Sequence, residues 1–534
     1  METKRKEKKI KGIKILNKRS IFSILLRVLP NVHYDYSVFS SLSSNKELVR
    51  YFKSIRRMNE YPKLYDIFKR CGFDMSLSDQ LRIERDTVKE GFYRSISKVI
   101  ESYRSPFSPQ RFRFLKEEQL LYIESFIEEI VPMGSEFVCP TELDLVNALN
   151  KRASSGLPHP YLKKLDFVST CIATFRLFKS GTLNVSEVVK YPAAAFMRLQ
   201  IRNSGLKYRV VNAVSVVHQF LESYYYLYFM SAIKRQKLSS SISIGLTQSE
   251  VSTLVSEFTE YNTYSIDYNG WDIYRPQILS VISFEIVRNF LALNSYEDRV
   301  FKYLRNIYLT LPLYHPDFEF LRRNRGTVSG SGFTSMDNSI CNWILTKICL
   351  YEYCKIKGID PYRYNHRIKV CGDDLLLGVK DNSFDFDLYS KVVLDKFGMI
   401  IRLEDTVAPI GVNSCFYLGS KWINGLPSRP ERLMVASVIF GTGDFPYMST
   451  NELLQSRFFE IFGNSSDTSK YWKRLKIPIL NRRFVFNELV NPHRFSADKR
   501  SDFKIPGNRD KDRRGFWVNY NTELSDLDYI WSTR

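Results

Sequence analysis

Apolar residues recur at helical spacing through residues 45–135, clearest in LKEEQLLYIESFIEEI, and the region is predicted to be mostly helical. A Gly/Pro-rich loop, SSGLPHPYLKK, follows at 154–164. The stretch RLQIRNSGLKYRVVNAV over 198–214 alternates basic and apolar residues about Ser204-Gly205, the pattern of a hairpin carrying Arg198, Arg202, Lys207 and Arg209. Thr263 to Ile266 has strand character, a turn at Asn269-Gly270 follows, and Ile278, Ile282, Ile286 and Phe290 then recur every four residues as in a helix. Farther on, a loop of small residues from Ser329 to Gly332 leads into a long helix predicted to end near Gly358. In HRIKVCGDDLLLGVK, over 366–380, two β-rich runs flank Gly372-Asp373-Asp374, a hairpin with acids at its tip. A last helix is predicted near 450–463, and no repeat or low-complexity block interrupts the pattern.

Composition adds a partner class. The 534 residues include 44% hydrophobic positions, enough to bury a sizeable core and to exclude wholesale disorder. Lys and Arg number 78 against 57 Asp and Glu, a net charge of +21, and 14% of residues are aromatic. A chain this basic suits a polyanion, either nucleic acid or an acidic membrane surface, although a soluble enzyme with an aromatic core would look the same by composition. Nine of the first 19 residues are Lys or Arg, which reads as a basic arm, either solvated or RNA-binding. The eight cysteines form no C-x-x-C pair and the six histidines are scattered, so zinc-finger spacing is absent. The apolar stretch after the basic arm is short and broken by Arg27, and no run reaches transmembrane length. The expectation is a soluble, reduced, cytosolic chain.

The candidate chemistry is carboxylate. Asp267 falls at the end of a predicted strand and Asp272 five residues later near a helix start, where Asp is also a common N-cap. Asp373 and Asp374 share a tight turn; Asp-rich turns are common, but two carboxylates facing one site need a compensating cation. Thr334 and Asn338 lie four apart on one helix face, which equally describes a capping Thr and an unrelated Asn. The loop before that helix is a place where a phosphate or ribose can approach. Taken together, acids without His or Cys favour hard divalent ions, chiefly Mg²⁺, and two such ions on shared aspartates suit phosphoryl transfer. No GxxxxGK[ST] loop is present, which disfavours a Walker-type ATPase.

In this order and spacing the chain resembles viral RNA-dependent RNA polymerases. Asp267-x4-Asp272 is similar to the family's motif A, Ser329-Gly330-x3-Thr334-x3-Asn338 to motif B and Gly372-Asp373-Asp374 to motif C, with 62 residues from Asp267 to Ser329 and 35 from Asn338 to Asp373. Weaker likenesses are Lys207 and Arg209 to the basic motif F, Ser155-Gly156-Leu157-Pro158 to the template-entry motif G, and Cys415 to Gly419 to motif E. The resemblance covers roughly residues 150–430 and is greatest to polymerases of segmented double-stranded RNA viruses, picobirnavirus first and partitivirus second. One departure stands out: the Lys of motif D, general acid to pyrophosphate, is replaced near FGMIIRLEDT by Asp405, with Arg402 or Lys421 as substitutes.

The resemblance implies an α+β right-hand polymerase: a closed ring of fingers, palm and thumb, with an antiparallel palm sheet and many helices. The implied division is an N-terminal extension and fingers over 1–255, a palm over 256–430 with a fingers insertion near 290–325, and a thumb and tail over 431–534. Asp267, Asp373 and Asp374 would hold two Mg²⁺ ions, with Mn²⁺ as a substitute. Asp272, Thr334, Asn338, Ser329 and Gly330 would recognise the NTP ribose, Lys207 and Arg209 the triphosphate, and Ser155 to Pro158 the entering template. The implied partners are single-stranded RNA template, nascent RNA and NTPs, with a capsid protein as a further candidate, in host cytoplasm or inside the virion. Reverse transcriptases tend to carry a bulky aromatic at the Asp272 position and Y-x-D-D at motif C, so this chain departs from them. A non-enzymatic basic RNA-binding protein explains the charge but not the acids. The tail over 503–534, with Arg513, Arg514, Trp517, Tyr520, Tyr529 and Trp531, reads either as a packed surface segment or as a channel element that stacks on the first nucleotide.

Overall fold

The computed structural model describes residues 59–475 except 85–87, 105–114, 152, 316–318, 322, 324, 404–406, 442–449, 463–464 and 466–467, together with residues 42, 44–46 and 48. The basic arm, Asp405 and the aromatic tail lie outside the described residues. Thirteen strands occur among the described residues: β1 (Asn59–Glu60), β2 (Ala193–Arg202), β3 (Gly205–Ala213), β4 (Asn262–Tyr268), β5 (Leu313–His315), β6 (Glu319–Leu321), β7 (His366–Cys371), β8 (Asp374–Val379), β9 (Ile401–Leu403), β10 (Ser414–Tyr417), β11 (Ser420–Ile423), β12 (Leu426–Ser428) and β13 (Phe440–Gly441).

The sheet that carries the acids has the order β7-β8-β4-β9 and is antiparallel throughout. Its middle strand β4 is buried from Thr263 to Tyr268. Two of the polar residues it buries are hydrogen-bonded: Thr263 Oγ1 donates to Phe258 O at 3.1 Å, and Ser265 Oγ accepts from Phe416 N at 2.9 Å, which joins the sheet to the β10-β11-β12 meander.

The long helix predicted after the small-residue loop runs Thr334–Lys357 and stops at Gly358. Every residue from Met336 to Tyr351 is buried, on all sides of the helix. A helix with no solvent face is a core element, and this one packs against the acidic sheet and the Gln277–Phe290 helix within the largest hydrophobic cluster. The helices Val216–Arg235 and Ser295–Thr310 complete that cluster.

The predicted basic hairpin is β2-β3, paired from Ala194↔Ala213 to Arg202↔Gly205. Its turn is Asn203-Ser204, one residue earlier than expected, and Gly205 opens β3. The wider sheet has the order β3-β2-β5-β6, with β2 and β5 parallel. A second hydrophobic core joins the N-terminal helices Pro62–Arg70 and Ser76–Glu84 to the C-terminal helices Glu431–Ile439, Thr450–Phe462 and Thr468–Leu475. β1 pairs with β13 across the same junction, and Leu199, Ile201 and Leu206 of the hairpin pack on it. No helix among the described residues is long and apolar enough to cross a membrane.

Candidate active site

Asp267 is the sixth residue of β4. The β4–β8 pairing ends at Ile266↔Leu375, so Asp267 lies one register step on, level with Asp374 and beside the turn of β7-β8. On its other side it pairs with Arg402 of β9, whose Nη2 donates to Asp267 Oδ2 at 2.6 Å. After β4, Gly270 leads into a single helical turn, Trp271–Tyr274, that holds Asp272. No side chain caps that helix, so Asp272 is not the N-cap that its position allowed. The turn ends because Arg275 precedes Pro276 and is excluded from the helical region; it takes φ −55°, ψ 125°. Arg275 is then buried against Asp337 of the long helix at 2.7 Å. Ser280 and Tyr308 donate to the same Asp337 oxygen at 2.8 and 2.9 Å. A buried, hydrogen-bonded ion pair therefore fixes the segment that carries Asp272 to the long helix.

The acids of the predicted hairpin do sit at its tip. Cys371 pairs with Asp374, which leaves Gly372-Asp373 as a two-residue turn with Gly372 at φ 67°, a conformation glycine adopts without strain. Two side chains of the long helix hold this turn: Ser339 Oγ accepts from Gly372 N at 2.8 Å, and Asn342 Nδ2 donates to Gly372 O and Asp373 O, each at 3.1 Å. Burial first, and then the negative charges of Asp272 and Asp267, push the Asp373 carboxyl up to about 6, while Arg209 pulls it back. The three acids from motifs A and C thus share one electrostatic environment.

The small-residue loop is fastened from outside. Ser329 Oγ accepts from Asn212 N of β3 at 3.0 Å, and Gln219 Nε2 donates to Gly330 O at 3.0 Å. A Cβ on Gly330 would run into the backbone carbonyl of Asn212, so only glycine lets the loop lie this close to β3. Glu222, fully buried, accepts from Ser331 Oγ and Gly332 N, each at 2.7 Å. Thr334 Oγ1 donates back into the loop, to Ser331 O at 2.9 Å and to Val328 O. Asn338 Oδ1 accepts from Thr327 Oγ1 at 2.8 Å. Thr334 and Asn338 do share a helix face, with the Thr hydroxyl engaged by loop backbone.

The basic hairpin faces the acids. Lys207 is pushed down to about 8, by burial first and then by Arg209 and Arg202, while Asp267 and Asp373 pull it up. The 154–164 loop reaches the same region through the start of the Val216–Arg235 helix: Val216 N donates to Ser155 O at 2.8 Å, Gly156 lies against Val214 and Ser215, and Leu157 is buried ahead of Pro158. Lys164 and Gly330 meet on opposite ends of the Gln219 amide.

Among the described residues no three His, Cys, Asp or Glu side chains converge as a ready-made metal-binding group. The donor chemistry nevertheless fits a hard divalent cation. Every candidate ligand is a carboxylate, and the Asp373 carboxyl, raised by burial first and then by the charges of Asp272 and Asp267, is one whose ionised form such a cation favours. Arg402 supplies a partner charge at Asp267.

The chain has the fold of solved viral RNA-dependent RNA polymerases. The RNA-dependent RNA polymerase of a human picobirnavirus superposes on it with a TM-score of 0.55 at 14% identity, covering 83% of this chain and 89% of that one. An insertion-loop deletion mutant of a human picobirnavirus polymerase gives 0.53 at 13% identity, covering 89% and 95%. Residues 204–436 match the family described as viral RNA-dependent RNA polymerase. The chain is also 24% identical over 376 residues, 65% of its length, to the genome polyprotein of a Norwalk-strain human norovirus, and it spans only 20% of that relative.

Several residues that build the site were not singled out from sequence: Ser339, Asn342, Asn212, Gln219, Glu222, Arg275, Asp337 and Thr327. The available signal was polar residues within an otherwise apolar helix, as at Asp337, Ser339 and Asn342, since such groups demand buried partners.

Proposed function

We propose that this chain copies an RNA template into RNA, joining NTPs with release of pyrophosphate. The observation that carries the reading is the convergence of Asp267, Asp272 and Asp373 with the basic residues Lys207 and Arg209 inside the polymerase-family segment. In this reading the β7-β8-β4-β9 sheet is the palm, within 256–430, with an insertion near 290–325 belonging to the fingers. The fingers and N-terminal extension occupy 1–255, and the thumb and tail 431–534. The second core supports a closed ring, because it joins residues 64–81 to residues 434–475.

Asp267, Asp373 and Asp374 are the ligands for two Mg²⁺ ions, with Mn²⁺ as a substitute. When bound, divalent ions supply charge that favours deprotonation of an attacking hydroxyl and offsets charge on the leaving group. The chain's own residues do the rest. Lys207 and Arg209 bind the triphosphate as charge-assisted donors and align the α-phosphate with the primer 3′-hydroxyl. Asp272 and Asn338, with the Ser329-Gly330 loop and Thr334, recognise the ribose; a site built to hydrogen-bond a hydroxyl rejects the deoxy analogue, which leaves its groups unpaired. The Ser155–Pro158 stretch, whose Ser155 carbonyl accepts from Val216 N, guides the template, and Lys164 at the end of the same loop is tied to Gly330 through Gln219. Arg402 is ion-paired with Asp267, so we assign it to charge balance there rather than to protonation of pyrophosphate. Template, nascent RNA and NTPs are the partners, and a capsid protein is a further candidate if synthesis takes place inside a virion rather than free in host cytoplasm.

The test is incorporation of labelled NTP on a single-stranded RNA template with Mg²⁺ or Mn²⁺. Template-dependent RNA product is expected. Preferential use of dNTPs would point instead to a reverse transcriptase, and RNA binding without incorporation to a basic RNA-binding protein.

A further inference from the structure

The loop ahead of Ser329 contains a residue that touches both proposed ribose readers. Thr327 is buried at 2% exposure and makes three directed hydrogen bonds. Its backbone N–H donates to Asp272 O at 2.9 Å. Its hydroxyl donates to Asn338 Oδ1 at 2.8 Å. Its carbonyl accepts from Asn212 Nδ2 at 3.2 Å, and Asn212 in turn donates its backbone N–H to Ser329 Oγ. One threonine therefore joins the strand–turn that carries Asp272, the helix that carries Asn338, and the basic hairpin.

The consequence lies in the Asn338 amide. An asparagine side chain has two faces of opposite hydrogen-bonding sense and can present either its carbonyl or its NH₂ to a ligand. Here the carbonyl is occupied by Thr327, while the NH₂ makes no hydrogen bond among the described residues. Asn338 is itself buried, with 6% exposure, and in this orientation Thr327 donates to the carbonyl and the NH₂ is the group left for a ligand; turned over, the amide would take the Thr327 hydroxyl as acceptor and show the ligand a carbonyl instead. As placed, the amide is a donor. A donor suits the lone pairs of a ribose 2′-oxygen and has nothing to engage at the 2′-carbon of a deoxyribose.

We propose that Thr327 is a positioning residue for sugar selection, fixing Asn338 in its donor orientation and holding it in register with Asp272. The proposal rests on the reading of Asn338 as a ribose contact, and the experiment separates the two. The ratio of kcat/KM for an NTP to that for the matching dNTP is measured in wild type, Thr327→Val, Thr327→Ser and Asn338→Ala. Loss of one hydrogen bond corresponds to a roughly threefold to tenfold fall in the ratio for Thr327→Val. Thr327→Ser keeps the hydroxyl and is expected to restore most of it, and Thr327→Val combined with Asn338→Ala is expected to fall no further than Asn338→Ala alone. If the valine variant does not fold, Thr327→Ala removes the same hydroxyl without a larger side chain and is read in its place. A lowered ratio in Asn338→Ala with a wild-type ratio in the hydroxyl-less variant would overturn the role of Thr327 alone. An unchanged ratio in Asn338→Ala would overturn the ribose reading and the proposal with it. A fall in kcat for both substrates with the ratio intact would make Thr327 a scaffold residue only.

Discussion

At the scale of single residues, charge is arranged by burial as much as by proximity. Lys207 sits beside Arg209 and Arg202 on a half-buried strand, and this holds its ammonium near 8 although two acids oppose the shift. In the proposed triphosphate site the cation form is the one that binds, so binding is expected to weaken as pH rises through that value. With a pKa near 8, roughly nine-tenths of Lys207 is charged at pH 7 and about one-tenth at pH 9. The KM for NTP is expected to rise severalfold between pH 7 and 9, and Lys207→Arg, which stays charged, is expected to flatten that rise; initial-rate kinetics across the range check it. The acids, the small-residue loop and the basic pair were all legible in sequence, because few arrangements need carboxylates at such spacings in so basic a chain. Their supports were not. Ser339 and Asn342 are ordinary polar residues until the fold brings Gly372 and Asp373 within reach, and nothing local to Thr327 names Asp272 or Asn338 as its partners.

At the scale of elements, the long helix is the organising piece, since several of its buried polar side chains fix another segment. Lys347, one of these, is 0% exposed and lies between Glu129, with which it is ion-paired at 2.6 Å, and His366 at the start of β7, 2.7 Å from its Nε2. His366 Nδ1 is 2.7 Å from Tyr364 O, so that nitrogen carries the proton and Nε2 accepts from the ammonium. Burial and then the Lys347 charge push His366 down to about 3 from 6.5. Between those values the unfolded chain binds a proton that the folded one refuses. Stability from this group is therefore full above pH 6.5 and falls, as pH drops toward 3, by at most about 1.4 kcal/mol per pH unit. In chemical unfolding between pH 7 and 5, His366→Gln is expected to lose less stability than wild type; equal slopes would assign acid sensitivity elsewhere. Element type was readable from periodicity: β4, the acidic hairpin and the long helix all fall where the pattern put them. The helical turn around Asp272 was not, because its length is set by Arg275-Pro276 and by the buried Asp337, 62 residues farther on.

At the scale of the whole molecule, the two ends of the described chain meet. Phe68 and Phe73 pack with Phe462, which stacks on Phe458 at 4.3 Å between ring centroids, and Arg474 lies over the Phe73 ring at 4.2 Å. The polar links are as direct: Glu431 accepts from Asp74 N at 2.8 Å, and Arg432 reaches Asn203 in the hairpin turn at 2.7 Å. Division of the chain into consecutive blocks could not foresee a core assembled from both ends, since hydrophobic periodicity says which face is buried and not against what. Phe68→Ala removes a fully buried ring, a change that typically costs about 3–5 kcal/mol. If this junction closes a ring around RNA, the variant is expected to release template early and make shorter products on long templates while still adding single nucleotides. Wild-type product lengths from a variant shown to be destabilised would separate the junction from processivity.

The acids of β4 and the β7-β8 turn are proposed to perform nucleotidyl transfer. Asp373→Asn keeps the size of the side chain and the carbonyl by which the turn is held to Asn342, and removes the charge. Its nucleotide incorporation on an RNA template, measured beside its RNA affinity and unfolding midpoint, is the most direct test. The expected result is wild-type RNA binding and an unfolding midpoint no lower than that of wild type, with synthesis reduced by about 10³-fold or more, since a neutral amide is a poor ligand for divalent ions. Synthesis within a few fold of wild type at saturating Mg²⁺ would contradict the account.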